Sequence, residues 1–376
     1  MTRTANMTLN FSDEQAMILE SAKAFCADKS PITVVRSLLD SDRGYLPEVW
    51  DEMVALGWTG ISIPEQYGGS DLGVGSIIPL IESMGRHLHC APLISTSLAA
   101  QAILRGGSEQ QKQTWLPKIV EGAIGTLAVL DNSDWGASLS ACTLETSDQK
   151  LRLSGRKLLV SDASVADFFV VSANHQGKAC LVIVDAAQLA PECLHRKTLI
   201  DETKRACDID FSGVEVDASA LLPNGEAALR DIRLLGALFS AAEATGSCAA
   251  TLDCIVDYLT TRIQFGKLIG SYQALKHPTV DILLQMEASR SLLYQAASIV
   301  SAASVDTDVE IACRMAKAQA TEALLFAGDR AVQFHGGMGF TYDCDAQLYL
   351  RRGQWQQHQY GDAQHHRRHL AALLLD

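Results

Sequence analysis

Two glycine-containing segments in the C-terminal third carry the residue types best suited to bind a ligand. The first is Arg262-Ile263-Gln264-Phe265-Gly266, followed by Gln273, and the second runs from Gln333 through Gly336 and Gly337 to Phe340. An arginine offers phosphate oxygens a fixed fork of donors, and glycines let backbone N–H groups approach a ligand closely. Each segment interrupts a helical pattern and follows no strand, which excludes the strand–turn–helix dinucleotide motif. The pattern indicates a bulky, polyphosphate-bearing cofactor between helices.

One carboxylate could also do chemistry. Glu243 is the only acid in a strongly apolar helical run that extends from Leu235 to Gly246. A lone carboxylate in such surroundings is costly unless it is paired or functional. Glu243 is therefore a candidate general base, and the alternatives are a partly exposed side chain or one paired to a neighbouring helix.

Two clusters of basic residues are weaker candidates. In His365-His366-Arg367-Arg368-His369 adjacent side chains point apart on a helix, and no acid or cysteine stands at ligand spacing. We therefore predict no metal site. The pair Arg351-Arg352 could meet a phosphate, but a solvated helix face is the better default.

Composition limits the classes of function. The 376 residues are 48% hydrophobic and 20% charged, which is typical of a globular chain with two or three structural units. The net charge of -13 argues against a nucleic-acid partner. No apolar run reaches the length of a membrane span, and the first residues lack the apolar region of a secretion signal, so we expect a cytoplasmic protein. The ten cysteines show no paired or metal-ligand spacing and are expected to be reduced core residues.

Hydrophobic spacing divides the chain into three predicted units. Residues 1–122 are mainly helical, and residues 123–224 contain short alternating segments separated by Gly, Asn, Asp and Ser, which favour an antiparallel β domain. Residues 225–376 are helical again, and long amphipathic helices with short connections favour an up-and-down bundle. These bundle helices are predicted at about 227–263, 271–302, 306–334 and 344–373. The predicted fold class is mostly α (α+β): an N-terminal helical domain, a middle antiparallel β domain and a C-terminal four-helix bundle.

Three motifs together resemble those of the acyl-CoA dehydrogenase family. Ile63-Pro64-Glu65-Gln66-Tyr67-Gly68-Gly69 is similar to the family's I-P-E-x-Y-G-G turn. Arg262-x-x-Phe265-Gly266 with Gln273, and Gln333-x-x-Gly336-Gly337-x-Gly339-Phe340, resemble two further signatures. The three occur in the family's order, and the resemblance covers essentially the whole chain. Within the family, the chain looks like a divergent bacterial branch that acts on bulky acyl-CoAs, including steroid side chains.

The resemblance implies that FAD binds across a subunit interface. Arg262, Phe265 and Gly266 of one subunit would hold its pyrophosphate and adenosine part, together with Gln273, while Gln333, Gly336 and Gly337 of the neighbour approach the same cofactor. Ser161 stands where the family has a threonine that contacts the flavin. Two departures concern the flavin ring: Leu159 replaces a tryptophan that shields it, and the segment 129–135 lacks the glycine of the family's T-E-P-x-x-G-S-D stretch.

The implied reaction is α,β-dehydrogenation of an acyl thioester, in which a carboxylate removes the Cα proton and hydride passes to the flavin. Both places where the family carries this base hold glycine here, Gly361 in Tyr360-Gly361-Asp362-Ala363 and Gly236 in the preceding long helix. Glu243 lies two helical turns beyond Gly236 on nearly the same face, which makes it the predicted base. Asp362 is the runner-up, although a carboxylate at a helix start has a structural use of its own.

The resemblance also implies partners. The substrate would be an acyl-CoA with a bulky, branched or steroid-derived acyl group, and electrons would pass to an electron-transfer flavoprotein or a similar acceptor. The chain would form a homo- or heterotetramer, a dimer of dimers. Two alternatives stay open: a non-catalytic subunit that completes a partner's site, and a flavin oxidase or monooxygenase on the same fold.

Overall fold

The structure is a computed structural model that describes residues 13–132, 135, 140–147, 150–300 and 305–375. Its first part is helical. The N-terminal helices are α1 (Asp13–Lys29), α2 (Ile32–Ser37), α3 (Pro47–Ala55), α4 (Ile78–Arg86), α5 (Leu93–Gly106) and α6 (Glu109–Val120). Helix α6 begins with a capping box, in which Ser108 accepts from the backbone N–H of Gln111 and Gln111 accepts from that of Ser108. The I-P-E-x-Y-G-G turn packs against α6, where the Tyr67 hydroxyl donates to Glu109.

The middle part is a β unit of two sheets. Its strands are β1 (Gly125–Ala128), β2 (Thr143–Ser147), β3 (Lys150–Ser154), β4 (Arg156–Ser161), β5 (Phe168–His175), β6 (Lys178–Asp185), β7 (Leu194–Arg196), β8 (Ala206–Asp210) and β9 (Val214–Asp217). Strand β8 lies between β4 and β7 in one sheet, and β1, β5, β6, β2, β3 and β9 form the other.

The larger sheet is mixed, so the expectation of a purely antiparallel domain was wrong in this detail. Strand β5 pairs antiparallel with β6 along its whole length, but it pairs parallel with β1 at Phe168–Val171 and with β2 at Asn174. Parallel pairs are not joined by hairpins, and they form only through longer connections that a local alternation pattern does not reveal.

A buried ion pair holds the loop after β1 against the sheets. The Lys157 side chain is fully buried in β4, and its Nζ donates to Asp131 Oδ1 at 2.6 Å, Ser140 Oγ at 2.8 Å and Ser172 Oγ at 2.9 Å. Because all three donors of the ammonium are used, the charge is satisfied inside the core. Lys157 therefore fixes the part of the chain that resembles the family's flavin-contacting loop; Ser133 and Asp134 of that loop lie outside the described residues.

The C-terminal part contains α7 (Gly225–Thr261), α8 (Gln273–Ile299), α9 (Thr307–Phe334), α10 (Ala346–His358) and α11 (Ala363–Leu375), with a small hairpin of β10 (Ile263–Gln264) and β11 (Lys267–Leu268) between α7 and α8. Helix α7 is central, because it packs against α4, α5, α8, α9, α10 and β6. Residues 234–249 of α7 are all buried. Because neighbouring elements cover all sides of this part of α7, the run from Leu235 to Gly246 is apolar on almost every face of the helix.

The predicted fourth helix, 344–373, was wrong as one element. It is divided into α10 and α11 by Gln359, which is extended, and by Tyr360 and Gly361, which adopt positive φ angles of 56° and 96°. A left-handed residue ends a helix, and two in succession turn the chain sharply. The link between α10 and α11 is consequently free to face α7, which places Tyr360 in the interior of the site.

The predicted boundaries at residues 122/123 and 224/225 stay predictions, although the change from helix to strand and back falls between α6 and β1 and between β9 and α7. All ten cysteines are free thiols. Of the helices within the described ranges, none combines the length and the apolar character that crossing a membrane requires.

Candidate active site

A cavity lies where α5, the end of β4, the loop 201–205, α7 and the link between α10 and α11 meet. Its wall includes Ser161, Lys204, Gly236, Glu243 and Tyr360. One cavity is therefore lined by Ser161, which is expected to contact a flavin, by the candidate base Glu243, and by Gly236. Sequence reasoning had connected them only through the family resemblance.

The Glu243 carboxylate is 1% exposed and is not alone. Its Oε1 accepts hydrogen bonds from Lys204 Nζ at 2.5 Å and from Arg352 Nη1 at 2.6 Å. The Gln356 side-chain amide donates to Oε2. Of the alternatives considered for Glu243, pairing to a neighbouring element describes the geometry, and the pairing satisfies the buried charge.

Arg352 extends this network to a second acid. Its Nε donates to Asp201 Oδ2 at 2.5 Å and its Nη2 to Thr203 Oγ1 at 2.6 Å. Burial alone would lower the pKa of Arg352, but the charges of Asp201 and Glu243 raise it above the ordinary value. The pKa of Asp201 is lowered, because the Arg352 charge and the Thr203 hydroxyl outweigh the effect of burial. Arg352 thus joins Asp201 and Glu243 in one buried hydrogen-bonded network.

The prediction that Arg351 and Arg352 lie on a solvated helix face was wrong for Arg352, whereas Arg351 is partly exposed to solvent. Arg352 is fully buried, whereas Arg351 is partly exposed and pairs with Glu202 at 2.9 Å. A helical-spacing signal existed, because Leu348 and Trp355 stand four residues before and three after Arg352 and are buried on the same face. Asp201 and Lys204 lie in a loop, where no periodicity marks an inward side chain.

Gly236 and Gly361, the two positions where the resemblance predicts a base, both lie next to Tyr360. A Cβ added to Gly236 would lie within 2.6 Å of ring atoms Cδ1 and Cζ of Tyr360, so the ring occupies the space next to this glycine. Gly361 follows Tyr360 directly, and the Trp135 ring packs on Tyr360 with centroids 4.7 Å apart. The Tyr360 ring therefore occupies the space beside Gly236, whereas a Cβ added to Gly361 would meet the His365 ring.

Asp362 has a structural use. It is exposed, and its Oδ1 accepts from the backbone N–H of His365 at 2.7 Å, which caps the first turn of α11. It does not line the cavity that contains Glu243. The neighbouring His365 and His369 rings pack on each other, and no group of three metal-ligating side chains occurs in the part of the chain that the structure describes.

The residues at the end of β4 face the same cavity. The register of β4 against β8 shifts between Lys157 and Val160, and Leu159 adopts a φ of 49° while its N–H donates to Asp208 Oδ1 at 3.1 Å. This irregularity turns Ser161 and Asp162 toward the cavity. Asp162 Oδ2 accepts from Ser95 Oγ at 2.6 Å, and burial raises the pKa of this carboxyl. Sequence analysis had not singled out Asp162.

The two glycine-containing motifs meet elsewhere on the chain. The ring of His335, between Gln333 and Gly336, stacks on Tyr258 of α7 with centroids 4.1 Å apart. Tyr258 is one helical turn before Arg262. The stack places both motifs side by side in one chain. The expected division of the two motifs between neighbouring subunits stays a prediction.

These motif residues fit a large anionic ligand. The Arg262 side chain is exposed and forms no ion pair with any described residue. Phe265 is 89% exposed and has a φ of 54°, followed by Gly266 at 77°. A Cβ added to Gly336 or Gly337 would meet no heavy atom within 4 Å, so the backbone there is open to a ligand. Gln273 and Gln333 are exposed as well.

The motifs and the Glu243 cavity are widely separated in one chain. Arg262 directly follows α7 and stands nineteen positions after Glu243, which is about 28 Å at a rise of ~1.5 Å per residue. A cofactor whose ring lies near Ser161 and whose phosphates lie near Arg262 is therefore easier to build from two chains. Exposed large apolar side chains are frequent in the motifs and in the helix α8 that follows the first motif; they are Ile263, Phe265, Leu268, Val280, Leu283, Leu284, Met338 and Phe340.

Comparisons with known proteins agree with this architecture. Residues 12–123 match the model of the acyl-CoA dehydrogenase N-terminal domain, and residues 234–375 match that of the C-terminal domain. The chain is 28% identical to the acyl-CoA dehydrogenase IpdE2 of Mycolicibacterium smegmatis over 91% of this chain and 92% of the relative. It is 26% identical to the mitochondrial short/branched chain specific acyl-CoA dehydrogenase of Rattus norvegicus, over 91% of this chain and 81% of the relative.

Solved structures give the same result. A variant of the steroid ACAD Tcur3481-Tcur3483 superimposes with a TM-score of 0.84 at 28% identity, covering 96% of this chain and 98% of that one. Butyryl-CoA dehydrogenase from Megasphaera elsdenii gives a TM-score of 0.86 at 25% identity over 98% and 100%. The chain belongs to the acyl-CoA dehydrogenase family. It is an oxidoreductase of the acyl-CoA dehydrogenase type, and the three-part fold predicted from sequence is confirmed.

Proposed function

We propose that the protein catalyses FAD-dependent α,β-dehydrogenation of an acyl-CoA to the trans-2-enoyl-CoA, with Glu243 as the base that removes the Cα proton. The observation that carries this proposal is the single cavity shared by Ser161, Gly236 and Glu243. A thioester bound there would lie within reach of Glu243 and Asp162, the two carboxylates among the described residues that line the cavity. The steroid ACAD and the short/branched chain specific relative support a bulky or branched acyl group.

The proposal requires a particular oxygen of Glu243. Oε1 accepts from two cations, Lys204 and Arg352, whereas Oε2 accepts, among the described residues, from the neutral amide of Gln356 alone. A carboxylate oxygen has two lone pairs, so Oε2 keeps one for a proton. The cations on Oε1 hold the carboxylate in place, and Oε2 is the atom that would receive the Cα proton.

The residues present fit FAD. Open backbone at Gly336 and Gly337 and the unpaired charge of Arg262 suit the cofactor's phosphates, and Ser161 suits its ring. When bound, FAD would accept the hydride that leaves Cβ. Arg262 and Gln273 would hold the diphosphate end, Phe265 and Gly266 would shape the turn around it, and Gln333 would add a donor.

Two subunits would complete this site. The exposed apolar side chains of the motifs and of α8, among them Phe265 and Leu284, support a dimer, within a homo- or heterotetramer, in which each chain contributes its motifs to the neighbour's cofactor. Reduced flavin would be reoxidised by an electron-transfer flavoprotein or a similar acceptor.

Glu243→Gln tests the base. This change keeps the shape of the side chain and removes its capacity to take a proton, so anaerobic bleaching of the flavin by an acyl-CoA should slow about 100- to 10,000-fold. Glu322→Gln, which affects an exposed ion pair with Arg367, is the matched control and should bleach at the wild-type rate. FAD content of each protein is measured alongside. Undiminished bleaching by Glu243→Gln would remove Glu243 from the role.

A second candidate is a subunit whose site a different chain completes. The observation that favours it is the Tyr360 ring, which fills the space beside Gly236 where a carboxylate would stand. Tcur3481-Tcur3483 carries two chain names, which is consistent with such an arrangement. Co-purification of a second homologous chain, with less than one flavin per chain, would favour this candidate; a homo-oligomer with one flavin per chain that dehydrogenates a thioester would exclude it.

A further inference from the structure

Gln356 is the neutral member of the network around Glu243. Its side-chain amide donates to Glu243 Oε2, and the residue is 3% exposed at the wall of the cavity. The proposed reaction assigns the Cα proton to this same oxygen, so Gln356 contacts the atom that must stay available. A buried hydrogen bond at such an atom either blocks it or holds it in place, and the surrounding contacts decide between these roles.

Arg352 and Gln356 hold the Glu243 carboxylate from the same helix. They stand four residues apart on α10 and therefore project from one face of it, one turn apart. Arg352 Nη1 donates to Oε1 at 2.6 Å, and the Gln356 amide donates to Oε2. Each oxygen of the carboxylate thus has its own donor from α10, which fixes the plane of the group as well as its position.

The orientation of the Gln356 amide follows from its two partners. A carboxylate oxygen only accepts hydrogen bonds, so the Nε2 end of the amide must face Glu243. The Oε1 end then accepts from the Ser240 hydroxyl at 2.5 Å. Ser240 stands three residues before Glu243 on the same face of α7. Its hydroxyl therefore holds the amide in the orientation that offers a donor to the carboxylate.

The backbone of Gln356 is held as well. The buried Lys317 side chain of α9 donates from Nζ to the Gln356 carbonyl at 2.5 Å. This carbonyl lies in the last turn of α10, where the usual helical partners of the carbonyls end and a donor from elsewhere is well placed. Gln356 is thus fixed at its carbonyl, its amide oxygen and its amide nitrogen.

Without the Gln356 amide, the Glu243 carboxylate would be expected to turn. The last torsion of a glutamate side chain is soft, and the cations Lys204 and Arg352 both donate to Oε1. Charge-assisted hydrogen bonds are stronger than neutral ones, and an arginine often engages both oxygens of a carboxylate. A carboxylate held through Oε1 alone would therefore bring both oxygens toward the cations, and the Gln356 amide opposes this rotation.

We propose that Gln356 is a positioning residue for the proton transfer: its amide, oriented by Ser240, keeps Glu243 Oε2 away from the two cations and turned toward the Cα of the acyl group. The inference rests on the proposed function, because it assumes that Glu243 is the base. It extends that function by assigning two residues, Gln356 and Ser240, that act through Glu243.

Gln356→Met tests this role. Methionine matches glutamine in length and lacks the amide, so the maximal rate of anaerobic flavin bleaching should fall about 10- to 100-fold. The thioesters are 2-methylbutanoyl-CoA and 3-cyclohexylpropanoyl-CoA. The concentration that gives half the maximal rate should stay within about twofold, because the lost interaction serves the transition state. Gln357→Met, which removes an amide bonded to Gln354 away from the cavity, is the matched control and should bleach as the wild type does.

Deuterium in the thioester distinguishes positioning from a general loss of structure. A carboxylate that is turned away makes removal of the Cα proton the harder part of the reaction. The isotope effect of Cα deuterium on the bleaching rate should therefore be larger in Gln356→Met than in the wild type, and that of Cβ deuterium should not increase. A misfolded or FAD-depleted fraction lowers only the amplitude of bleaching and leaves both isotope effects unchanged.

Ser240→Ala is a second test that leaves Gln356 in place. It frees the amide to rotate, so the maximal rate should fall by about 3- to 10-fold, with the same change in the Cα isotope effect. Bleaching at or above the wild-type rate in both variants, while Glu243→Gln is slow, would overturn this inference alone, as would slower bleaching with unchanged isotope effects. Wild-type bleaching by Glu243→Gln, or no bleaching of the wild type by either thioester, would contradict the proposed function and this inference with it.

Discussion

The ring of Tyr360 lies against the backbone of Gly236, and the two residues define each other's conformation. A Cβ at Gly236 would lie within 2.6 Å of the ring, and Tyr360 reaches this place through the turn after α10, in which its φ is 56°. Gly361 follows with a φ of 96° and continues that turn. The space in which a larger residue 236 would stand is therefore filled by the ring.

Gly236→Ala should be destabilising only while Tyr360 is present. The added methyl must displace the ring, which costs about 1–3 kcal/mol in a packed interior. In a Tyr360→Ala background the same change should stabilise α7 by about 1 kcal/mol, because alanine is the better helix former. Urea unfolding of the two single variants and the double variant forms a complete cycle. Simple additivity of the free energies of unfolding would show that the ring and the glycine are not in contact.

Arg352→Met should be among the most damaging changes outside the apolar core. It leaves Asp201 and Glu243 buried without their shared cation, and breaking a buried pair in this way costs about 3–5 kcal/mol. Arg367→Met removes an exposed pair with Glu322 and should cost no more than about 1 kcal/mol. Thermal unfolding of both variants checks the contrast. Similar losses in the two proteins would mean that the buried network contributes no more than a surface pair.

Lys317 should make the free energy of unfolding depend on pH above neutrality. Its side chain is fully buried, its Nζ donates to the Gln356 carbonyl at 2.5 Å, and burial lowers the pKa of Lys317 to about 7. Between pH 7 and the ordinary lysine pKa of about 10.4, the unfolded chain holds a proton that the folded chain lacks. Stability from this group therefore rises with pH across that window, by up to about 1.4 kcal/mol per pH unit.

The Lys317 prediction is checked with Lys317→Met. In urea unfolding at pH 7, 8, 9 and 10, the free energy of unfolding of this variant should rise less with pH than that of the wild type. Lys178→Met, at an exposed strand position, should show the same pH dependence as the wild type. Parallel slopes for wild type and Lys317→Met would show that the lysine is protonated in the folded protein throughout this range.

Arg262→Gln should weaken FAD binding without affecting the fold of the cavity. Loss of a charged hydrogen bond to a phosphate costs about 1.5–3 kcal/mol, which corresponds to roughly a 10- to 100-fold weaker affinity. Fluorescence titration of the apoprotein with FAD measures this loss. Arg152→Gln, at an exposed position of β3, is the matched control and should bind as the wild type does. Unaltered affinity in Arg262→Gln would exclude Arg262 from the cofactor site.

The sequence was sufficient for the element types and for the cofactor motifs, because both depend on local signals. Helix α7 was predicted at about 227–263 and occupies 225–261, since its apolar spacing is continuous. The motif residues Arg262 and Gly336 needed only their neighbours in sequence to be recognised. The same was true of Glu243, whose isolation in an apolar run is visible without any structure.

The partners of Glu243 were not predictable in this way. Lys204 comes from a loop 39 residues earlier and Arg352 from a helix 109 residues later, and no spacing rule connects such distant positions. The break between α10 and α11 was missed for a related reason: Tyr360 adopts a left-handed conformation that tyrosine rarely takes, and contact with Gly236 supplies the compensation. Long-range packing decided each of these features.

The unbroken length of α7 has a consequence for how the protein can change. Glu243 lies at the middle of this helix, and the helix ends just before Arg262, with no glycine or proline between Gly246 and that end. Inserting a single residue in this stretch would shift Arg262 by about 1.5 Å and rotate it by about 100° relative to the cavity. The length of α7 therefore fixes the position of Arg262 relative to the cavity. We expect insertions and deletions in this helix to be tolerated far less than those in the loops on either side of it.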